Sequence, residues 1–202
     1  MKMRTTNPKW SDYMKHILKF GLIIAAVLIF ASCRLGSADI THAEAAEILT
    51  RLLPYAEELN EAFLGRGLEP SEPQDERLSS AAKYVKVSGN CKYQTVGELA
   101  SAAETIFSEE YCTILFEAAF YGSDNFTARY SEAEDGTLQV NVNDQGYNLR
   151  TKLFPDGAVV KNKYDGKTAV SVPAEFDGTP CEPIIIYLVY ENGSWLLDSP
   201  TY

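Results

Sequence analysis

Histidine is the scarcest reactive residue, with two in 202 positions. His16 precedes the apolar run Phe20–Ser32, so a chain processed at that run keeps only His42. A Ser-His-Asp or Cys-His centre needs its histidine inside a pocket. His42 instead falls at the first turn of the first predicted helix, which argues against both centres and against a zinc site built on His and Cys. The four cysteines never occur as CxxC, so neither a zinc ribbon nor a thioredoxin-type site is expected. Cations are few as well. The first 32 residues carry five Lys/Arg and one Asp; residues 33–202 therefore keep 13 basic and 27 acidic side chains, a net charge of −14. Nucleic acids and anionic lipid surfaces are poor partners for such a chain. A basic partner, or plain solubility, suits it better. No GxxxxGK[ST] or GxGxxG cradles a phosphate, and no motif asks for a cofactor or a metal. The longest apolar run has 13 residues, where a membrane-spanning helix needs about 20.

That run reads as an export signal, because apolar signal regions hold about 7–15 residues. Lys15, His16 and Lys19 flank it. Phe30-Ala31-Ser32-Cys33 resembles a bacterial lipobox, with Phe30 in place of the usual Leu. The resemblance implies cleavage before Cys33, diacylation of Cys33, and a place on the outer face of the cytoplasmic membrane. The lipid would be the only membrane contact, and two acyl chains suffice for stable anchoring. An uncleaved N-terminal anchor is the alternative. Met14 offers a later start, which would give the signal an ordinary length.

The exported part divides into a tether (34–40), an N-terminal helical segment (41–67), a Pro-containing loop (68–80) and a main body (81–202). Thr41-x-x-Glu44 is a capping box. Ile48, Leu52, Tyr55, Leu59 and Phe63 recur at helical spacing, and Pro54 should kink or split the helix. The loop would separate this segment from the body. Ala82–Val87 reads as a strand. Thr95 and Ser108 are N-cap candidates for two further helices, the second turning Cys112, Leu115, Ala119 and Phe120 inward and stopping by Gly122. From Phe126 the period falls to two. Asp135-Gly136, Asp165-Gly166 and Asn192-Gly193 are hairpin signals. The last would set Tyr190 opposite Trp195 and Leu188 opposite Leu197, with Tyr187 on the other face. Ile184–Tyr190 is apolar without a break and reads as a strand covered on both faces. The expected class is α+β: N-terminal helices packed on a curved antiparallel sheet of about five to six strands.

Aromatic residues are the remaining binding candidates. Tyr84, Tyr111, Tyr187, Tyr190 and Trp195 are placed to line a pocket or cleft, with Tyr93, Tyr121 and Tyr130 as further members; ordinary core packing is the competing role. The glutamates on predicted helices read as solvated faces, and no residue is assigned a catalytic role. Asn141-x-Asn143-x-Gln145-Gly146 has the start of a calcium loop, but Lys152 stands where a bidentate Glu belongs. Cys91 and Cys181 fall in predicted loops and form the candidate disulfide pair of an oxidising exterior, while Cys112 reads as a buried hydrophobe.

From Tyr84 onward the layout resembles the IseA family, exported bacterial inhibitors of cell-wall DL-endopeptidases. The resemblance rests on the YVKV strand, the TVGELASAAETIF helix, the DGTLQV strand and the closing IIIYLVYENGSWLLDSP hairpin. More broadly, the order of elements is similar to cystatin-like folds and to cone-shaped folds like nuclear transport factor 2. The IseA resemblance implies a monomeric, non-catalytic lipoprotein that occludes a cell-wall endopeptidase. The cone-shaped alternative implies a pocket that binds, or turns over, a small ligand.

Overall fold

The computed structural model describes residues 39–72, 83–123 and 126–202. The apolar run, Cys33, Met14 and nearly all of the tether lie outside them. The chain divides after Asp39, and Ile40–Tyr202 is one compact unit.

Helix α1 (His42–Phe63) opens with the expected capping box: the Thr41 hydroxyl accepts from Glu44 N, and the Glu44 carboxylate accepts from Thr41 N at 2.8 Å. The helix runs unbroken through Pro54, so the expected split does not occur. Pro54 and Thr50 both lie on the exposed side. The Thr50 carbonyl that loses its amide partner there is therefore open to water, which lowers the penalty of an interior proline. Ile48, Leu52, Leu59 and Phe63 are buried as the period requires, but Tyr55 is exposed, and Leu49 and Ala56 complete the apolar stripe instead. Because that stripe enters the common core, α1 is not a separate segment as the loop suggested.

Strand β1 (Tyr84–Lys86) pairs with β3 (Leu138–Asn141), and β3 pairs with β2 (Tyr130–Glu132), forming a small antiparallel sheet. Between β1 and β2 come α2 (Val96–Glu104), capped by Thr95, and α3 (Glu109–Phe116), capped by Ser108. A π-helical turn, Glu117–Tyr121, extends α3 and ends at Gly122, whose φ is +66°. A second, curled antiparallel sheet joins β4 (Thr151–Leu153), β5 (Val159–Tyr164), β6 (Lys167–Phe176), β7 (Thr179–Glu191) and β8 (Ser194–Leu197). Its order is β4-β6-β7-β8, with β5 also on β6. The architecture is thus α+β, as expected: helices with a curled antiparallel sheet of five strands, and beside it, among the described residues, a small sheet of three.

The hairpin turns at Asp165-Gly166, Asp177-Gly178 and Asn192-Gly193 have positive φ at both residues, the geometry that suits the twist of two-residue hairpins. The last fixes the expected register, Tyr190 opposite Trp195 and Leu188 opposite Leu197. β7 departs from expectation. Ile186 and Leu188 are buried, but Ile185 and Tyr187 are exposed. One face of this apolar strand meets the core and the other is partly exposed.

Candidate functional site

A largely apolar surface cleft is bounded by α3, the β5–β6 hairpin, β7 and the segment after β8, and has a volume of about 540 Å³. Helix α3 supplies Tyr111, Ile114 and Leu115, the hairpin Tyr164 and Lys167, and β7 Tyr187; Pro200 and Tyr202 close one side.

Its polar part is a chain of fixed contacts. Ser108, fully buried, caps α3 by accepting from Tyr111 N at 3.1 Å, and its hydroxyl donates to Asp198. The Asp198 carboxylate, 3% exposed, also takes the Lys167 ammonium. Lys167 donates in addition to Glu110 at 2.7 Å. These two carboxylates, Asp198 first, hold the Lys167 ammonium above the ordinary lysine range, so it stays a cation. Burial is the chief cause that pushes the Tyr111 phenol up, with Tyr202 adding to it. Here a raised value means a neutral phenol that acts as a wall with a hydrogen-bonding tip.

The segment after β8 is tied down at several points. Asp198 N donates to Tyr187 O at 2.8 Å, Tyr187 N donates to Ser199 Oγ at 3.0 Å, and Asn60 Nδ2 donates to Thr201 Oγ1 at 2.8 Å.

Two other surfaces differ in character. A cleft of about 400 Å³ brings Glu104, Glu109 and Glu191 around Cys112. Burial, and then Glu104 and Glu191, push the Cys112 thiol up to about 12, which makes it an inert thiol rather than a nucleophile. A groove of about 480 Å³ runs between α1, the end of α2 and β8, with Tyr55, Tyr93 and Trp195. There Glu58 accepts from Lys92 at 2.8 Å and from Tyr93 at 2.9 Å. A further cleft of about 330 Å³ shares Arg51 and Trp195 with it.

Of the five aromatic candidates, the structure brings Tyr111 and Tyr187 into one cleft. Tyr190 and Trp195 pack ring against ring elsewhere, centroids 5.4 Å apart. The Tyr84 hydroxyl donates to Ala128 O at 2.7 Å and serves the small sheet. Tyr130 is fully buried, its hydroxyl donating to Ala62 O at 2.6 Å. Cys91 and Cys181 are free thiols in the structure, so the candidate pair is not joined. Cys91 packs against the core, its Sγ 3.5 Å from Glu69 O, whereas Cys181 lies within β7 and not in a loop, exposed opposite Ala174. Asp144, in the calcium-like stretch, gives both carboxylate oxygens to the buried Arg129, at 2.9 and 3.1 Å. Among the described residues no cluster of His, Cys, Asp and Glu is arranged to hold a metal. Sequence reasoning missed Ile114, Tyr164, Lys167, Asp198 and Tyr202. Only Asp165-Gly166 hinted at the site, by marking the turn that sets Tyr164 beside Lys167.

No family model matches the chain, and no curated protein matches it.

Proposed function

We propose that the protein is a non-catalytic binding protein of the bacterial cell surface, held by lipid on Cys33, that restrains a peptidoglycan DL-endopeptidase by covering its substrate groove. The observation that carries this reading is the state of the ionisable groups in the aromatic cleft. Lys167 and Asp198 are spent on each other, on Ser108 and on Glu110. General acid–base work needs a group free to exchange protons near the working pH; neither of these two is free, and the cleft offers mainly apolar and phenolic walls for contact, with the Asp165 carboxylate on its rim. The net charge of −14 on residues 33–202 supports a cationic partner, since opposite fields speed encounter and select partners. The IseA resemblance of residues 84–202 names the class of partner.

The test is inhibition of a panel of cell-wall DL-endopeptidases by Arg34–Tyr202, at low and at moderate salt. Saturable inhibition that weakens with salt is expected. Absence of inhibition and of binding across the panel overturns the reading. The second reading, a protein that binds or turns over a small ligand, has one observation in its favour: the cleft volume of about 540 Å³ lies within the roughly 300–1,000 Å³ of small-molecule sites.

A further inference from the structure

From the geometry of the aromatic cleft and the exposed apolar side chains of β5 and β7 beside it, we infer a docking surface for a polypeptide segment that presents a large apolar side chain flanked by lysine or arginine. This deepens the binding reading above and rests on it.

Three observations carry the inference. The first is clustering. Ile114 is 59% exposed, Tyr164 78%, Tyr187 39% and Tyr202 38%, and all four border the same concavity. Single exposed apolar residues need no explanation, but several around one hollow mark an interaction site. Tyrosine in particular gives large contact area at small entropic cost and is enriched among the residues that dominate binding energy.

The second is extent. Strand register places Ala169 beside Tyr187, and Ser171 between Ile185 and Val159. Ile185 and Val159 are exposed on the same face as Tyr187. Ala169 and Ser171 are themselves buried, so the apolar surface continues out of the cleft along β7 through Tyr187 and Ile185, with Val159 on the far side of the covered β6. A small ligand would leave most of that surface wet; a polypeptide laid along it would cover it.

The third is charge. Among the described residues Lys167 is the single cation lining the cleft, and it is neutralised by Asp198 and Glu110. Glu110 remains largely exposed, and Asp165 is exposed on the rim. Lys163 pairs with Thr168, whose row belongs to the opposite face of the sheet. A ligand entering here meets aromatic walls and a carboxylate rim. An acidic flank would be repelled, and a cationic flank finds Glu110 and Asp165.

The probe is the peptide acetyl-Gly-Lys-Phe-Lys-Gly-amide, titrated into isotope-labelled Arg34–Tyr202 and followed by amide NMR. Its controls are the Glu-Phe-Glu and Lys-Ser-Lys versions. Shifts are expected at Ile114, Tyr164 and Tyr187, with saturable binding by Lys-Phe-Lys only. Ile114→Asp and Tyr164→Ala should each weaken binding about tenfold, a size usual for anchor residues. Both side chains are mostly exposed, so circular dichroism should show an unchanged fold. Tyr55→Ala, in the other groove, should leave binding unchanged. Equal binding of the acidic peptide, shifts confined to the Trp195 groove, absence of shifts, or indifference to Ile114→Asp and Tyr164→Ala overturns the inference. The two readings separate cleanly. Endopeptidase inhibition that survives Ile114→Asp removes this surface and keeps the inhibitor. Peptide binding at the cleft without inhibition of any endopeptidase does the reverse.

Discussion

Asp198 ties three elements together with one side chain. It receives the hydroxyl of the residue that caps α3 and the ammonium that begins β6, while its own amide is bonded to β7. Replacing a buried carboxylate in such a network leaves its donors unsatisfied. Asp198→Asn should therefore cost about 2–3 kcal/mol, just below the roughly 3–5 kcal/mol range for breaking a fully buried pair, because Lys167 is a quarter exposed. Urea denaturation measures this, and Lys167→Met should cost less. Asp198 was visible in the sequence only as part of the closing Trp-Leu-Leu-Asp-Ser. Its partner Ser108 stands 90 positions away, and no local spacing encodes a contact of that kind. The same applies to Ile114 and Tyr164, each unremarkable on its own element and significant only once β5 and α3 share a cleft. The cysteines failed in sequence for a related reason, since a loop assignment for Cys181 depended on where β7 begins, and β7 starts earlier than its apolar run.

Among elements, the legible ones were those with their own local chemistry. Caps at Thr41, Thr95 and Ser108 and the turns at Asp165-Gly166 and Asn192-Gly193 satisfy backbone groups within a few residues and form as expected, whereas Asp135-Gly136 joins β2 to β3 through a longer loop with positive φ at Gly136 alone. Coverage of an element was not legible, because it is decided by what packs on top. Seven apolar residues in a row promised a strand buried on both faces, yet β7 has one partly exposed face. Helix α1 shows the opposite case, a local warning that the tertiary structure overrides: its buried stripe holds it continuous past Pro54. Since Pro54 is exposed, Pro54→Ala should restore a backbone hydrogen bond without disturbing the core. The expected gain is about 1–3 kcal/mol, read as a higher thermal midpoint. An unchanged midpoint would mean that the helix pays no penalty at this site.

For the molecule as a whole, the core sets the response to alkali. Burial raises the Tyr130 phenol and the Cys112 thiol each to about 12. Both are native in their neutral forms, and both ionise more readily when unfolded, near about 10 and 8.5. Their contribution is complete below those unfolded values and is lost as pH rises toward 12. Lys167, raised by its carboxylates, acts in the same direction, because its native charged form is lost at high pH. The urea midpoint should therefore fall steeply above about pH 10. Tyr130→Phe should flatten that fall. At neutral pH the same change should cost about 1–3 kcal/mol, since Ala62 O and Leu68 N lose their partner.

The bond between Asn60 and Thr201 spans 141 positions, and that between His42 and Val160 spans 118. Helix α1 can form early from its own capping box, and Phe63 can rest on Phe116 and Phe120, but the rest of its apolar stripe waits for the Pro155–Gly157 turn, β5 and β8. Contacts this distant in sequence slow the search for the native state. A chain emerging from its amino end would carry α1 as an amphipathic, sticky helix through most of its appearance, and closure would come with the final hairpin. Refolding should accordingly be slow for a domain of this size, with α1 among the last elements to gain protection from hydrogen exchange.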